Sequence, residues 1–349
     1  MSEVLFQMLR SCKPPGSART LLTSRINRLS SWKQLVRAWL LLTIGTSGCL
    51  LGTTVNAAIF DRTGQKIPDR EVNSDRVNWQ MLSTATGRQY NGIGLIDVNY
   101  GVCTGFLFST GKNPQAPAYV LTNGHCQGKI NQLPSNREII VNRSSKTNFI
   151  VNYFHDFKSA RLSIPVNRIV YGTMKNNDIA ILELTKTQQE LIKAGITPLK
   201  ISDRPARSGE KTIVVGIPSE GVKETNNFLH ATTCQTGELV NLKEDVYNWK
   251  RSIRHRCSIV GGMSGSPMIS IETNRVVGII NTGVNDTAAK QPQCSLNRPC
   301  EVGQNGLMQT FEHENYGQLV DRIPTCFDRN GIFNLYQSTC QLERPLERP

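Results

Sequence analysis

A stretch of small residues, 261–267, contains the serine that is best suited to act as a nucleophile. Gly262 and Gly265 carry no Cβ atom, so the backbone around Ser264 can turn tightly. Such a turn would aim the N–H groups of Gly262 and Ser264 at one point, where they would stabilise an oxyanion. Glycine- and serine-rich turns are also common in surface loops, so the stretch has limited specificity by itself.

Two upstream motifs supply the other groups that a serine nucleophile needs. Residues 121–126 read Leu-Thr-Asn-Gly-His-Cys and contain His125, while residues 176–182 read Asn-Asn-Asp-Ile-Ala-Ile-Leu and contain Asp178. A lone histidine is usually a capping or core residue, and an aspartate before a strand is a common turn residue. Together with Ser264, in the order histidine, aspartate, serine, they predict a catalytic triad with histidine as the general base.

These motifs resemble those of the trypsin/chymotrypsin-like serine peptidases. Thr-Asn-Gly-His-Cys is similar to the family's T-A-x-H-C, Asn-Asp-Ile-Ala to D-I-A-L, and Gly-Met-Ser-Gly-Ser-Pro to G-D-S-G-G-P. The last motif is closer to bacterial members, including the glutamyl endopeptidases, which carry G-N-S-G-S-P. The resemblance covers about residues 85–315. It implies an all-β fold of two packed antiparallel six-stranded β-barrels, with the active site in the cleft between them.

Short apolar segments separated by Gly, Asn and Pro turns are typical of a β-sandwich or barrel. With the resemblance, they predict an N-terminal barrel over residues 86–192 and a C-terminal barrel over 193–323. Residues 186–194 are helix-like and would connect the barrels. Helical spacing over residues 313–323 predicts the short C-terminal helix that the family usually has. The extension 324–349 is predicted to form a disulfide-closed hairpin with an Asn-Gly turn.

The leader, residues 1–57, joins a basic region to an uncharged apolar stretch, which is typical of a secretory signal. Small residues at its end favour cleavage after Ala57. An uncleaved anchor is one alternative, and acylation of Cys49 as in a lipoprotein is another. All three predict a secreted, periplasmic or cell-envelope protein that contacts membrane only through this leader. Residues 58–85 are polar and are expected to be a pro-segment or an N-terminal strap.

The ten cysteines include eight beyond the leader, and these lack the Cys-x-x-Cys spacing of zinc sites. An even number spread along the chain favours disulfides. The family closes its histidine loop with a bridge, which implies the pair Cys103–Cys126. Local proximity favours the pairs Cys234–Cys257, Cys294–Cys300 and Cys326–Cys340, although sequence alone leaves other connectivities open. No metal or organic cofactor is implied.

The composition of the 349 residues, 38% hydrophobic and 19% charged, excludes a disordered chain and a polytopic membrane protein. The net charge is +13, of which the leader supplies +6, so a mildly basic surface of +7 remains. The sequence has no basic stripe interleaved with aromatic residues, the pattern that would predict nucleic-acid binding. We therefore expect a protein or peptide as the partner, while the oligomeric state is not predicted.

Specificity is predicted from a few positions that align with the family's substrate pocket. Ser258 stands six residues before the serine, where trypsin-like members carry an aspartate, so a preference for Lys or Arg is not supported. Asn281, Thr282 and Gly283 belong to the pocket-wall strand and would bind an extended substrate by strand addition. Ile280 replaces the histidine that marks glutamyl endopeptidases. We expect a medium-sized, uncharged side chain in the pocket.

Met263 is a departure from the family pattern. Animal digestive and clotting members carry an aspartate here, which receives the new N-terminal amine after zymogen cleavage, and that ion pair is not available to this chain. The oxyanion turn must therefore be held by other packing or form when substrate binds. If activity needs processing, the expected step is removal of residues 58 to about 85.

The residues together predict a secreted or envelope serine endopeptidase that acts through an acyl-enzyme. One alternative is a catalytically silent binding module on the same fold, which the intact set of three residues argues against. Another is a hydrolase with narrow protein targets, which the same residues permit.

Overall fold

The computed structural model describes residues 79–98, 101–128, 133–223, 226–284 and 291–345. The predictions for the leader and for most of the segment that follows it lie outside the described residues. No helix in the described part of the chain is both long enough and apolar enough to span a membrane.

The described chain begins with a strap that packs against the second half of the protein. Its strand β1 (Gln80–Met81) pairs antiparallel with a strand of the second barrel, and the indole Nε1 of Trp79 donates to the carbonyl of Ser258 at 3.0 Å. Leu82 is 2% exposed and belongs to the main hydrophobic cluster. Residues 79–82 therefore pack onto the rest of the protein, while the assignment of 58–85 as a pro-segment or a strap stays a prediction.

The first barrel follows a short capped helix, α1 (Thr84–Gly87). Its strands are β2 (Ile93–Val98), β3 (Gly101–Ser109), β4 (Pro117–Thr122), β5 (Ile139–Ser144), β6 (Asn148–Val151), β7 (Leu162–Thr173) and β8 (Ile179–Thr187). Antiparallel pairing runs in the order β2, β3, β4, β8, β7, β6 and back to β2, which closes a six-stranded barrel. Strand β5 pairs with the other half of β7. Alternate residues of β6 are buried, as expected for strands with one face on a core.

A helix and a short strand connect the two barrels. Helix α2 (Gln188–Lys193) lies where the sequence predicts a helix-like link. It begins at a capping box in which Thr187 bonds the backbone N–H of Glu190 and Glu190 bonds that of Thr187. Strand β9 (Leu199–Ile201) then pairs in parallel with β3 of the first barrel.

The second barrel repeats the antiparallel arrangement. Its strands are β10 (Lys211–Gly216), β11 (His230–Glu244), β12 (Tyr247–His255), β13 (Pro267–Ser270), β14 (Arg275–Gly283) and β17 (Asn315–Leu319), with β15 (Cys300–Val302) and β16 (Met308–Gln309) outside the closed cycle. Pairing runs in the order β10, β11, β12, β17, β14, β13 and back to β10. Strand β14 also pairs in parallel with β9, so β9 joins the two barrels. The predicted all-β, trypsin-like fold is confirmed.

The helix predicted over residues 313–323 is wrong. The middle of this segment forms strand β17, and the 3-10 helix Ile323–Cys326 follows it. The reason is that the edges of β12 and β14 both have backbone groups to pair at this position. Strand β17 pairs with both of them and closes the barrel. Gly317, in the middle of the segment, further disfavours a helix. Other 3-10 helices are Arg88–Tyr90, His125–Gln127 and Lys158–Ala160.

The C-terminal extension packs against the first barrel. Phe327 and Phe333 face each other in an isolated antiparallel bridge across the predicted Asn-Gly turn. The ring of Phe327 lies edge-on to Phe108 at 5.6 Å and to Tyr119 at 5.0 Å, between ring centroids. The ring of Phe333 lies 6.2 Å from that of Tyr171. The extension thus adds an aromatic layer to the barrel.

Disulfides join the eight cysteines of the described chain in the four pairs that the sequence analysis expects. They are Cys103–Cys126, Cys234–Cys257, Cys294–Cys300 and Cys326–Cys340.

Candidate functional site

His125 and Asp178 meet because the two strands beside them are paired. Strand β4 ends at Thr122 and β8 begins at Ile179, and their antiparallel register brings these ends together. The Nδ1 atom of His125 lies 2.6 Å from Oδ2 of Asp178, and the backbone N–H of His125 donates to Oδ1 at 2.8 Å. The carboxylate is fully buried, whereas 23% of the histidine side chain is exposed. One nitrogen of the imidazole is therefore bound by the acid, and the side chain is partly exposed to solvent.

Neighbouring residues hold Asp178 on both sides. Asn123 donates from Nδ2 to the carbonyl of Asp178 at 2.9 Å, and the N–H of Asp178 donates to Oδ1 of Asn177 at 3.0 Å. At Gly124 a Cβ atom would lie 2.0 Å from the carbonyl oxygen of Thr173, so only glycine fits. Asn123 and Gly124 of the histidine motif therefore help to hold Asp178 in position.

The pKa of His125 lies above its usual value. Burial alone would lower it, but the charge and hydrogen bond of Asp178, with a further contribution from the charge of Glu244, raise it. This environment stabilises the imidazolium, which is the state that a general base reaches after it takes a proton.

The loop around Ser264 turns as the sequence predicts. Gly262 and Gly265 have φ values of +90° and +82°, in the left-handed region that favours glycine. The N–H of Ser266 donates to the carbonyl of Met263 at 2.9 Å. Among the described residues, the N–H groups of Gly262 and Ser264 donate to no protein acceptor. These two donors, predicted to form an oxyanion hole, therefore remain available.

Packing holds this turn without the aspartate that Met263 replaces. The side chain of Met263 is fully buried in the core of the second barrel. The N–H of Gly265 donates to the carbonyl of Ile280, and the N–H of Ile280 donates to the carbonyl of Ser266, both at 2.9 Å. Strand β14 thus bonds the serine loop directly, and Met263 fixes the loop to the core of the second barrel.

Thr104, which the sequence analysis misses, joins the serine loop to the histidine side of the site. Its N–H donates to the carbonyl of Ser264 at 2.9 Å, and its Oγ1 donates to the carbonyl of Gly262 at 2.9 Å. Its carbonyl accepts from Oγ1 of Thr122, at the end of β4, at 2.8 Å. The preceding residue, Cys103, is bonded to Cys126 beside the histidine. Adjacent residues of β3 therefore fix both parts of the site.

Replacing Thr104 with valine tests this connection. The change keeps the shape but removes the Oγ1 that donates to Gly262 and accepts from the N–H of Ile217 at 3.0 Å. Two buried backbone groups lose their partner, so we expect the free energy of unfolding to fall by about 1–3 kcal/mol. A loosened serine loop should also lower kcat/KM about tenfold.

Urea unfolding and steady-state kinetics measure the two effects of Thr104→Val. The control is Thr104→Ser, which keeps the hydroxyl and should stay near wild type in kcat/KM. Equal activity in the valine variant and the wild type would contradict the positioning role.

The predicted substrate residues lie along and beside β14. Asn281 and Thr282 are 7% and 8% exposed, and a Cβ at Gly283 would lie 1.9 Å from Oδ1 of Asn315. Strand β14 pairs with β13 only as far as Ile279. In the described residues, one edge of 281–283 therefore has no strand partner. Ser258 is partly buried, and the strap's indole bonds its carbonyl.

Glu244, at the end of β11, is a second residue that the sequence does not indicate. It is 2% exposed, and its Oε1 accepts from Oγ1 of Thr282 at 3.1 Å. Burial raises its pKa to about 7, although hydrogen bonds from Asn297 and Thr282 and the charge of His125 act in the opposite direction. An ionisable group thus bonds β14 and feels the charge of the candidate base.

Two clusters combine a histidine with cysteines at distances that a metal could bridge. One contains His125 with Cys103 and Cys126, and the other contains His255 with Cys234 and Cys257. In both, the two cysteines are joined as a disulfide. A disulfide sulfur has no thiolate to offer, and thiolate is the form of cysteine that binds metals.

A family model and several known proteins match this chain. A family model described as a trypsin-like peptidase domain matches residues 103–279, just over half of the chain. The human peroxisomal leader peptide-processing protease is 27% identical over 160 residues, which is 44% of this chain and 25% of that protein. The chain thus matches only a quarter of that relative's length.

Solved structures with similar chains include the active form of the Rv3671c protease from M. tuberculosis. It is 13% identical with a TM-score of 0.44, and the match covers 80% of this chain and 96% of that one. Neuropsin, a serine protease of mouse brain, is also 13% identical with a TM-score of 0.44, and the match covers 70% of this chain and 95% of that one.

Proposed function

Because the chain belongs to the trypsin-like peptidase family, we propose that it is a serine endopeptidase acting through His125, Asp178 and Ser264. The observation that carries the proposal is the pair of hydrogen bonds from the ring and the backbone of His125 to the buried Asp178 carboxylate, at 2.6 and 2.8 Å. With Nδ1 bonded to the acid, Nε2 is the nitrogen that would accept the proton of the serine.

In the proposed mechanism, Oγ of Ser264 attacks the scissile carbonyl while His125 takes its proton. The imidazolium then gives this proton to the leaving amine, and an acyl-enzyme remains. Water, activated by the same histidine, attacks the ester and releases the new carboxylate and the serine. Asp178 stays ionised throughout and offsets the positive charge of the ring.

The oxyanion that forms in both attacks would be stabilised by the N–H groups of Gly262 and Ser264. Their lack of other acceptors among the described residues supports this role. Donors that are already oriented need no reorganisation during the reaction, which is why removal of one such donor costs about 10² to 10³ in rate in other enzymes.

The proposed substrate is a protein or peptide that binds in extended form along β14. The edge of residues 281–283 that no strand covers in the described structure offers backbone groups for strand addition. We propose a medium-sized, uncharged side chain in the primary pocket, because Ser258 supplies no charge there. A peptide-library profile dominated by Arg, Lys or Glu would contradict this specificity.

We also propose that the protein acts outside the cytoplasm, directed by its N-terminal leader. The four disulfides support this location, since such bonds form and persist in oxidising compartments. N-terminal sequencing of the secreted or fractionated protein would test both the location and the cleavage after Ala57.

Labelling with a fluorophosphonate probe tests the proposed function. We expect the oxidised, purified protein to form a covalent adduct that mass spectrometry locates on Ser264, because an activated serine attacks the probe as it attacks a carbonyl. Ser264→Ala should not be labelled. The matched control, Ser266→Ala, removes a hydroxyl from the same loop and should still be labelled.

Two outcomes would contradict the proposal. A folded wild type that is not labelled would favour a catalytically silent binding module on the same fold. Labelling that persists in Ser264→Ala would assign the reactive group to another residue. If Ser264 is labelled but a broad set of peptides is not cleaved, a screen of protein substrates distinguishes a hydrolase with narrow protein targets from a general endopeptidase.

A further inference from the structure

The side chain of Glu244 is an acid that the peptidase mechanism leaves unused. Its Oε1 accepts from the N–H of Asn297 at 2.7 Å and from Oγ1 of Thr282 at 3.1 Å. Its Oε2 is buried and has no hydrogen-bond partner in the described residues. A buried carboxylate that is only half satisfied is costly, so its presence calls for a physical explanation.

The two hydrogen bonds join three elements at the candidate site. Thr282 belongs to β14, the strand proposed to bind substrate, and Asn297 belongs to the loop closed by the disulfide Cys294–Cys300. The N–H of Asp245 also donates to the carbonyl of Cys294, at 2.5 Å. Loss of the carboxyl group would therefore remove one of the bonds between the loop and the end of β11 and deprive the substrate strand of a partner.

The charged groups around Glu244 come from each element packed against it. Lys243 and Asp245 flank it on its own chain, Tyr247 of β12 pairs opposite it, and Glu301 of β15 pairs with the nearby Leu242. Strand β14 has no titratable side chain between residues 276 and 283. In the disulfide loop the charged residue is Arg298, which is paired with Glu312 at 2.6 Å. From the first barrel, His125 and Asp178 act on the carboxyl group through their charges.

The interaction between Glu244 and His125 is mutual. The charge of Glu244 favours the protonated imidazole, and the charge of His125 favours the ionised carboxyl group. Burial raises the pKa of the Glu244 carboxyl group to about 7, and the pKa of His125 is also raised from its usual value, so the charge of each group depends on the state of the other.

We propose that Glu244 is a positioning residue of the peptidase site: its buried carboxyl group fixes the substrate strand through Thr282 and the disulfide loop through Asn297. The catalytic consequence rests on the proposed function, whereas the electrostatic coupling to His125 does not.

Titration of His125 tests the coupling without any need for activity. In protein labelled with ¹³C at the histidine Cε1, we expect the pKa of His125 to fall by about half a unit or more in Glu244→Gln, because a negative charge is lost. Glu244→Asp keeps the charge and should stay nearer the wild type. Glu238→Gln is the matched control, since Glu238 is an exposed acid on the same strand.

Kinetics test the positioning role. Glu244→Gln keeps an acceptor for Thr282 and Asn297, so KM should stay within about twofold while the acidic limb of the kcat/KM profile moves to lower pH. Glu244→Ala removes the acceptor and should raise KM about tenfold, because the substrate strand loses a buried partner.

An unchanged pKa of His125 in folded Glu244→Gln would overturn the coupling. Should that variant fail to fold, the wild type alone decides, because a carboxyl group that ionises in the same pH range broadens the His125 titration beyond a single-proton curve, and a single-proton curve would overturn the coupling. A shifted pKa in a protein that neither cleaves peptides nor reacts with the fluorophosphonate would leave the coupling standing and refute the peptidase function. An unchanged KM in Glu244→Ala would overturn the positioning role.

Discussion

Replacing Asp178 with asparagine is expected to lower kcat by about four orders of magnitude and to leave KM within a few fold. The amide oxygen can still accept from the backbone N–H of His125, as Oδ1 of the acid does at 2.8 Å. The amide nitrogen then faces Nδ1 and forces this atom to become an acceptor. The ring proton moves to Nε2, which can no longer take the proton of Ser264.

The pH profile gives a second signature of the same change. Because Asp178 raises the pKa of His125 above its usual 6.5, the acidic limb of kcat/KM in the wild type should lie above pH 6.5. The neutral ring is the active form, so activity is lost as the pH falls through this pKa. Without the carboxylate charge, the limb should move to lower pH in Asp178→Asn.

Single-turnover kinetics across the pH range measure both effects of Asp178→Asn. The control is Asp203→Asn, which makes the same chemical change at an exposed position and should keep wild-type kcat. A folded Asp178→Asn protein with kcat within tenfold of the wild type would refute the assigned role of the aspartate.

Gly265→Ala is expected to have the second-largest effect, because both conformation and space exclude a side chain there. The residue has φ of +82°, and a Cβ would lie 2.2 Å from the carbonyl oxygen of Thr104 and 2.4 Å from Oγ1 of Thr122. The positive φ alone costs about 1–2 kcal/mol. Relief of the two contacts must also move the loop of Ser264 away from β3 and β4.

A displacement of about 1 Å can cost about 10² in rate, so we expect kcat/KM to fall at least that far in Gly265→Ala. Gly209→Ala is a close control, because Gly209 has φ of +79° and a Cβ added there would meet no atom within 4 Å. It should lose about 1–2 kcal/mol of unfolding free energy and keep its activity. Equal kcat/KM in the two variants would contradict the packing argument.

The residues that would carry out the chemistry could be predicted from the sequence because their neighbours along the chain reveal them. His125, Asp178 and Ser264 each occur in a short motif whose residues serve the local geometry. The residues that hold them could not be predicted in this way. Thr104 bonds a carbonyl 158 positions away, and Glu244 bonds side-chain and backbone groups 38 and 53 positions away. Such partners are set by barrel closure and not by local pattern.

The segment at residues 313–323 illustrates the same limit for the fold. Its apolar residues have a helical spacing, yet strand β17 forms between two edges that belong to distant parts of the chain. The spacing of apolar residues along the chain contains no information about the hydrogen bonds that those distant edges supply. The two barrels themselves could be predicted because resemblance to a family carries long-range information that periodicity lacks.

The aromatic layer of the C-terminal extension has a consequence for synthesis on the ribosome. Phe327 covers Phe108 and Tyr119, which leave the ribosome far earlier. At a translation rate of about 5–20 residues per second, Phe327 is synthesised roughly 10–40 s after these two aromatic residues. During that time the nascent first barrel presents aromatic surface of the kind that chaperones bind and that promotes aggregation. Synthesis of the segment around Phe327 therefore determines when the first barrel is protected from misassembly.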